Sequence, residues 1–303
     1  MMVQWITNFQ GELAALSGAF LWAISSAIYS LLGQKISPLK LNLFKGLIAI
    51  ALIFLTLIIS GKLQTELNLV TISLFLISGV LGIGLGDTAF FSALKNMGAR
   101  RTLLMATLSP PMTALLGLIF LKEQLTFGAW CGILITGIGV AWVISERTPG
   151  AAITNINIKQ GIIWAILAEI ANSSGAIISR FALLSSDISP LWSSLFRLTG
   201  GAIIVVLLLF LQRRKPSKLG KINWSTKLIG GIFVTTFGGT YLGIWLQQIS
   251  LKFAPVGIAQ TLLATSPIFI IPIAAQMGEK ISIRSILGVL VAVVGISLLF
   301  NFQ

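Results

Sequence analysis

Two carboxyl groups stand inside long apolar stretches of this 303-residue chain, and they are the side chains best placed to do chemistry. Glu169 begins a polar stripe with Asn172 and Ser173, at the i, i+3 and i+4 spacing of one helix face. Asp87 follows a glycine-rich stretch. A carboxyl group at such a depth normally faces a polar cavity and has a partner, so both acids are candidates for solute binding or proton transfer. The alternatives are polar contacts between helices for the stripe and a cap on a broken helix for Asp87.

A second set of side chains could bind a solute that has both charged and apolar parts. Lys45 and Arg197 occupy related positions in two similar segments, although an inverted arrangement of those segments would put them near opposite membrane faces. Lysine at such a depth can also extend its charge to the interface. Aromatic rings and an amide could form the wall of a cavity, or could serve packing and the interfacial aromatic belts. These candidates are Trp22, Tyr241, Trp245 and Gln248.

The composition speaks against several other chemistries. The chain has no histidine and one cysteine, Cys131, so it lacks the commonest metal ligand and cannot form an internal disulfide. We therefore expect no metal and no cofactor. No pairing of nucleophile and base is evident, which argues against an enzyme. A membrane-embedded enzyme and a channel stay as alternatives to a carrier, but we find neither filter repeats nor rings of like charge.

The elements that must position these residues are membrane helices. Hydrophobic residues make up 56% of the chain, charged residues only 10%, and the mean hydropathy is +0.97. A transmembrane helix needs about 20 mostly apolar residues. Ten runs meet this length, near 13–32, 41–60, 70–94, 102–121, 126–144, 160–181, 189–212, 227–250, 256–277 and 283–301. We predict an all-α integral membrane protein with ten transmembrane helices, the first of them retained rather than cleaved as a signal peptide.

Short motifs recur along the chain at a nearly constant offset. The sequence Ile-Ser-Pro-Leu occupies residues 36–39 and again residues 188–191. The other pairs are Phe44-Lys45 with Phe196-Arg197, Gly82 and Gly86 with Gly239 and Gly243, Leu94-Lys95 with Leu251-Lys252, Ser109-Pro110 with Ser266-Pro267, and Gly132 and Gly139 with Gly288 and Gly295. Ordered matches of this kind indicate a duplication. Because each half would hold an odd number of spans, we predict two inverted five-helix repeats, 11–145 and 159–301, as in secondary transporters.

Glycines and prolines within the predicted spans should shape the helices. The glycine pairs four residues apart, Gly82 with Gly86 and Gly239 with Gly243, are typical of close helix packing. Proline inside a helix removes a hydrogen bond and bends or breaks it. We therefore expect kinks or loosened helices at Pro110, Pro267 and Pro272.

Part of the sequence resembles a known family. The motifs are Gly82, Gly86-Asp87-Thr88, Ala93-Leu94-Lys95, Gly98-Ala99, Ser109-Pro110 and Leu121-Lys122-Glu123, with residues 284–300 closing the chain. They resemble the EamA repeat of the drug/metabolite transporter superfamily. The resemblance implies a ten-span carrier that exports or exchanges small metabolites, often amino acids, and implies that both termini lie in the cytoplasm.

We predict a secondary transporter for small, amino-acid-like solutes in a bacterial-type inner membrane. Its partners would be the solute and membrane lipids, with protons coupled through Glu169 or Asp87; an ion pair of Glu169 with Arg197 or Arg180 would prevent such coupling. The net charge of +13 lies in short loops, which argues against nucleic-acid binding. Most of the 21 Lys and Arg residues follow the odd-numbered predicted spans. Charge therefore predicts that both termini face away from the cytoplasm, opposite to the family tendency.

Overall fold

The computed structural model describes residues 8–32, 36–61, 68–97, 102, 105–145, 157–212, 225–269 and 283–301. These residues form helices, and no strand occurs among them. The helices are α1 (Gln10–Leu32), α2 (Pro38–Ile59), α3 (Leu69–Gly79), α4 (Asp87–Met97), α5 (Ser109–Leu116), α6 (Phe127–Ser145), α7 (Ile158–Leu184), α8 (Pro190–Gln212), α9 (Thr226–Thr235), α10 (Gly243–Phe253), α11 (Val256–Leu263) and α12 (Ile283–Asn301). The prediction of an all-helical membrane protein is thereby supported.

Six helical stretches of the described chain are long and apolar enough to cross a bilayer. They are Pro38–Ile59, Leu69–Leu94, Phe127–Ile144, Ile158–Leu184, Pro190–Leu211 and Thr226–Phe253. Many large apolar side chains point outward, among them Phe54, Leu134 and Phe210. An outer surface of this kind is stable only in contact with lipid tails, so the chain is a multi-pass integral membrane protein.

Residues at the helix starts explain where several helices begin. The side chain of Asn68 accepts a hydrogen bond from the Val70 amide at 2.9 Å and caps α3. Ser225 caps α9 in the same way, through the Leu228 amide. Pro38 and Pro190 open α2 and α8, where a missing N–H costs nothing. Capping and proline placement therefore mark these boundaries in the sequence.

Three π-helical segments interrupt the α-helical pattern. The first π segment, Val80–Gly86, joins α3 to α4. The second, Gly117–Leu121, extends α5, and the third, Thr236–Leu242, joins α9 to α10. A π-helical turn holds an extra residue and frequently occurs at functional sites. The first glycine pair lies in the first segment, and the second pair lies at the third segment. From the sequence these pairs were interpreted only as packing surfaces.

The prolines of the predicted fourth and ninth spans follow a break rather than sit within a bend. Pro110 lies in the first turn of α5, directly after a turn at residues 107–108. Pro267 follows a corresponding turn at residues 264–265. Proline fits the first turn of a helix, so each helix restarts at its Ser-Pro pair. Pro272 lies outside the described residues.

The helices α6 and α12 cross through glycines. A Cβ atom on Gly132 would lie 3.0 Å from the Gly295 carbonyl oxygen, and one on Gly288 would lie 3.1 Å from the Gly139 carbonyl oxygen. These pairings run in opposite order along the two helices, so α6 and α12 are antiparallel. The backbones touch because none of the four residues has a side chain.

Helices from the two halves of the sequence pack reciprocally. The first helix, α1, lies against α10 and the third π segment, while α7 lies against α4 and the first π segment. Gly11 approaches Ala254, and Gly161 approaches Met97 in the same manner. α2 packs against α8, and α5 against α11. Side chains from distant parts of the sequence therefore meet in the middle of the molecule.

Candidate functional site

Lys45 on α2 and Asp87 at the start of α4 form an ion pair. Lys45 Nζ lies 2.5 Å from Asp87 Oδ2, and the two side chains are 8% and 29% exposed. The ammonium group also lies 5.2 Å from the centre of the Phe91 ring. The expectation that Lys45 extends to the interface is wrong, because its charge is buried against Asp87. Asp87 does not act as a plain helix cap, since its carboxylate binds Lys45.

Arg197 on α8 lies near the same carboxylate. Its side chain is buried, and it is close enough to Asp87 for the two charges to interact. Arg197 Nη1 donates to Gln247 Oε1 at 3.1 Å, while Nε has no hydrogen-bond partner among the described residues. Lys45 and Arg197 were expected near opposite membrane faces, yet the packing of α2 against α8 brings both to Asp87.

The first π segment forms the surface on which these side chains converge. A Cβ atom on Gly82 would lie 3.2 Å from Arg197 Nη2. One on Gly86 would collide with Asn172 Oδ1. Glycine at both positions therefore lets polar side chains from α7 and α8 reach the backbone. We call Lys45, Asp87, Asn172 and Arg197 the central polar cluster.

Two members of the central polar cluster are not fully buried. Asp87 and Asn172 are partly exposed, although they lie within helices long enough to span a bilayer. Asp87 contacts the buried cation Lys45 and lies near the buried cation Arg197. A partly exposed charge in this position requires water or a polar ligand beside it.

Glu169 lies on α7 one turn before Asn172 and has a different environment. Its side chain is buried, and Ser109 on α5 is within hydrogen-bonding reach of the carboxyl group. The neighbouring Ser173 accepts a hydrogen bond from Thr113 at 2.9 Å. The polar stripe of α7 is thus directed toward hydroxyl groups of α5. Within the described chain Glu169 pairs with neither arginine that the sequence analysis offered as its partner.

The aromatic candidates lie around the third π segment. Trp22 Nε1 donates to the Gly239 carbonyl oxygen at 2.7 Å. The Tyr241 hydroxyl group is 2.8 Å from that of Thr56, and the rings of Tyr241 and Trp245 have centroids 6.2 Å apart. Trp22 and Trp245 are partly exposed, which fits a cavity wall.

Gln248 does not line an open wall as predicted. It is 0% exposed, and its Oε1 accepts hydrogen bonds from Ser179 at 2.6 Å and from Ser193 at 3.1 Å. The residue joins α7, α8 and α10 inside the packed core. Its spacing from Tyr241 and Trp245 is that of one helix face, but Ser179 and Ser193 occupy the space beside its side chain.

A second ion pair lies where several helices end. Glu123 follows the second π segment, and its Oε1 accepts from Arg180 Nε at 2.7 Å. Glu123 Oε2 accepts from the Val256 amide at 2.8 Å. Arg180 Nη1 donates to the carbonyl oxygens of Leu251 and Lys252. We call these contacts the Glu123–Arg180 network.

Three side chains of the site were missed from the sequence. Asn42 donates to the Ile83 carbonyl oxygen at 2.9 Å, on the first π segment. Gln247 holds Arg197, and the Tyr29 ring lies 6.0 Å from Lys45 Nζ. Asn42 lies one helical turn before Lys45, so its position on the same helix face could have been predicted from the sequence. The roles of Gln247 and Tyr29 could not, because they depend on which helices are neighbours.

No metal centre is evident in the part of the chain that the structure describes. No group of three or more His, Cys, Asp or Glu side chains there could hold a metal ion. The chemistry on offer is charge and hydrogen bonding. Two cations, one carboxylate and an amide converge on a glycine-rich backbone, an arrangement suited to binding a polar solute.

Comparison with known proteins relates this site to a family. A Bacillus subtilis (strain 168) protein named "Uncharacterized transporter YyaM" is 24% identical over 257 residues, which is 83% of this chain and 80% of that protein. An "Uncharacterized transporter" of Archaeoglobus fulgidus is 23% identical over 288 residues, covering 95% of this chain and 96% of that protein.

The fold is shared with solved structures. One crystal structure, of a chain with 16% sequence identity, superposes with a TM-score of 0.79 and covers 98% of this chain and 100% of its own. The model of the EamA-like transporter family matches the sequence twice, over residues 9–145 and 159–301. All four residues of the central polar cluster lie within these two matches, which together cover most of the chain. The chain belongs to the EamA-like transporter family.

Proposed function

We propose that this membrane transporter carries small, amino-acid-like metabolites by export or exchange, through a central cavity between two inverted five-helix repeats. The observation that carries the proposal is the central polar cluster. Lys45 and Asp87 come from the first half of the sequence, and Asn172 and Arg197 come from the second. A solute site at the junction of two repeats is the arrangement that alternating access requires.

The reciprocal packing supports the inverted architecture. A two-fold axis in the membrane plane makes the last helices of the two repeats antiparallel, as α6 and α12 are. The same axis exchanges the contact of α1 with α10 for that of α7 with α4. Counting α3 with α4 and α9 with α10 as single spans, we infer ten spans in repeats 11–145 and 159–301.

The mixture of side chains supports a solute with charged and apolar parts. The central polar cluster offers charge, and the partly exposed rings of Trp22 and Trp245 offer apolar contact area, while Tyr241 is buried. Free amino acids combine both features. A channel would need no such specific contacts, and an enzyme would need reacting groups in addition.

Glu169 supports a role for protons. Ser109 is near its carboxyl group, and the arginines considered as partners bind elsewhere. A buried carboxyl group among hydroxyls is stable when protonated, because it then carries no charge into an apolar region. We propose that Glu169 exchanges a proton during transport and that Asp87, held by Lys45, does not.

The experiment is counterflow in proteoliposomes of a bacterial lipid extract. Vesicles with the purified protein are loaded with one unlabelled amino acid at a time and tested for uptake of the labelled compound. Saturable counterflow for at least one amino acid is expected. Flux that neither saturates nor shows counterflow would indicate a channel, and a chemically altered solute would indicate an enzyme.

Two variants locate the transport site. Trp245→Ala and Asn172→Ala should each lower counterflow while leaving expression unchanged. The matched control is Trp142→Ala, because the Trp142 side chain on α6 is exposed on the outside of the bundle. Unchanged counterflow in both site variants would refute the proposed cavity.

The membrane orientation can be tested separately. The distribution of Lys and Arg supports an inner-membrane protein whose termini face away from the cytoplasm. Reporters fused to each terminus should be active on the non-cytoplasmic side. Activity in the cytoplasm would reverse the orientation without affecting the proposed site.

A further inference from the structure

We propose that Arg197 forms an anion subsite that binds a single carboxylate group of the transported solute, with the Asn172 amide as its neighbour. The inference rests on the proposed function, since it assigns chemistry to that same cavity. It names the group on the solute that is recognised. It also predicts which compounds fail to bind.

The charges around the first π segment do not balance. Lys45 and Arg197 are cations, and Asp87 is the anion that both approach. Glu123 is taken by Arg180. The described surroundings of Asp87 therefore hold one positive charge more than negative charges. A buried excess cation is costly unless an anion joins it, so one negative charge on a ligand would complete the set.

Arg197 has hydrogen-bonding capacity that the described residues do not use. A guanidinium group has five N–H donors in a planar fork that matches the two oxygens of a carboxylate. Arg197 is 3% exposed, and Gln247 Oε1 is its acceptor at Nη1. Its Nε lacks an acceptor among the described residues. A buried donor without an acceptor is rare in folded proteins and points to a missing ligand atom.

The first π segment lets a solute approach the Arg197 side chain. Gly82 lets the guanidinium group lie against the first π segment, with Nη2 3.2 Å from where a Cβ atom would be. Asn172 lies beside the same segment, and its partly exposed amide can donate to an anion. The partly exposed Asp87 carboxylate directly follows the first π segment and repels additional negative charge. A monocarboxylate therefore fits better than a doubly charged phosphate.

The test is binding of matched compounds to the purified protein in detergent, read as a shift of its thermal unfolding midpoint. The compounds share one branched carbon chain: leucine, 4-methylpentanoate, leucinamide and isoamylamine. Ligands raise the midpoint by mass action. Leucine and 4-methylpentanoate should raise it, and the two compounds without a carboxylate should not. Equal shifts with leucinamide or isoamylamine, or no shift with any carboxylate, would overturn the proposal.

Variants of Arg197 make the test specific. Arg197→Gln should weaken carboxylate binding by more than about tenfold, and Arg197→Lys should weaken it less, because lysine keeps the charge but loses the fork. Lys40→Gln is the control, since Lys40 is an exposed cation on the same helix as Lys45. If Arg197→Gln proves unstable, the Arg197→Lys variant decides alone. Wild-type affinity in that variant, or in a stable Arg197→Gln, would remove Arg197 from the site.

Failure of this inference and failure of transport are distinguishable. Binding of carboxylates without counterflow would refute transport and leave the anion subsite in place. Counterflow of isoamylamine, without any effect of carboxylates, would support transport and refute the subsite.

Discussion

The two ion pairs seen among the described residues differ in what completes their hydrogen bonding. In the Glu123–Arg180 network, the remaining carboxylate oxygen accepts a backbone N–H, and the guanidinium group donates to two backbone carbonyls. In the central polar cluster, the Asp87 side chain is 29% exposed and Arg197 has an unused donor among the described residues. The first pair is completed by the protein itself, and the second leaves positions for a ligand. Burial alone does not distinguish them; the partners of each atom do.

The largest effect is expected from breaking the completed pair. Glu123→Ala leaves the Arg180 charge and the Val256 amide without their acceptor, which should lower stability by about 3 to 5 kcal/mol. The measurement is the unfolding midpoint in detergent, together with the amount of folded protein in the membrane. Replacing both residues by methionine should restore much of the loss, because no unpaired charge remains. A single variant as stable as the wild type would show that the network is not structural.

The next effect separates function from stability in the central polar cluster. Asp87→Asn removes the anion shared by Lys45 and Arg197, so we expect counterflow to fall by more than about tenfold. The loss of stability should be smaller than for Glu123→Ala, since Asp87 is more exposed than Glu123 and water can take part of its place. Counterflow and midpoint should be measured on the same preparation. Equal losses of stability in the two variants would erase the contrast between the pairs.

A narrower effect is expected at Glu169, which pairs with no cation among the described residues. Glu169→Gln mimics the protonated carboxyl group and keeps a polar group beside Ser109. It should abolish flux driven by a pH gradient while preserving exchange of solute against solute. Asp87→Asn should not show this separation. If gradient-driven flux survives in both variants, neither acid couples protons, and a uniporter or exchanger is the better description.

The smallest effects come from two glycine substitutions. Gly86→Ala places a methyl group against Asn172 Oδ1 and should weaken solute binding, with little change in the amount of folded protein. The matched control is Gly46→Ala on α2, where no atom lies within 4 Å. There alanine should stabilise the helix by about 0.5 to 1 kcal/mol. Equal transport by the two variants would show that the approach of Asn172 to the first π segment is unimportant.

Sequence patterns predicted the fold better than the site. Long apolar runs and a recurring offset located the helices, because lipid contact and duplication both leave one-dimensional traces. The pairing of Lys45 with Asp87 left no such trace. Depth along a helix can be read from position, but the choice of neighbouring helices depends on packing between remote segments. That is why Lys45 and Arg197, expected to be apart, both approach Asp87.

Gln248 shows the same limit in the opposite direction. Its spacing from Tyr241 and Trp245 in the sequence is that of one face of an α-helix. Whether a face is open or filled depends on the residues opposite, and here Ser179 and Ser193 fill it. The π segments were equally inaccessible to periodicity, because one extra residue per turn shifts every later side chain on that helix.

The glycine crossing of α6 and α12 also bears on how the protein is made. α6 is synthesised well before α12, and its groove at Gly132 and Gly139 is filled by the α12 backbone and the Leu299 side chain. Until α12 enters the bilayer, that groove can hold nothing but lipid. The crossing should therefore form late in biosynthesis.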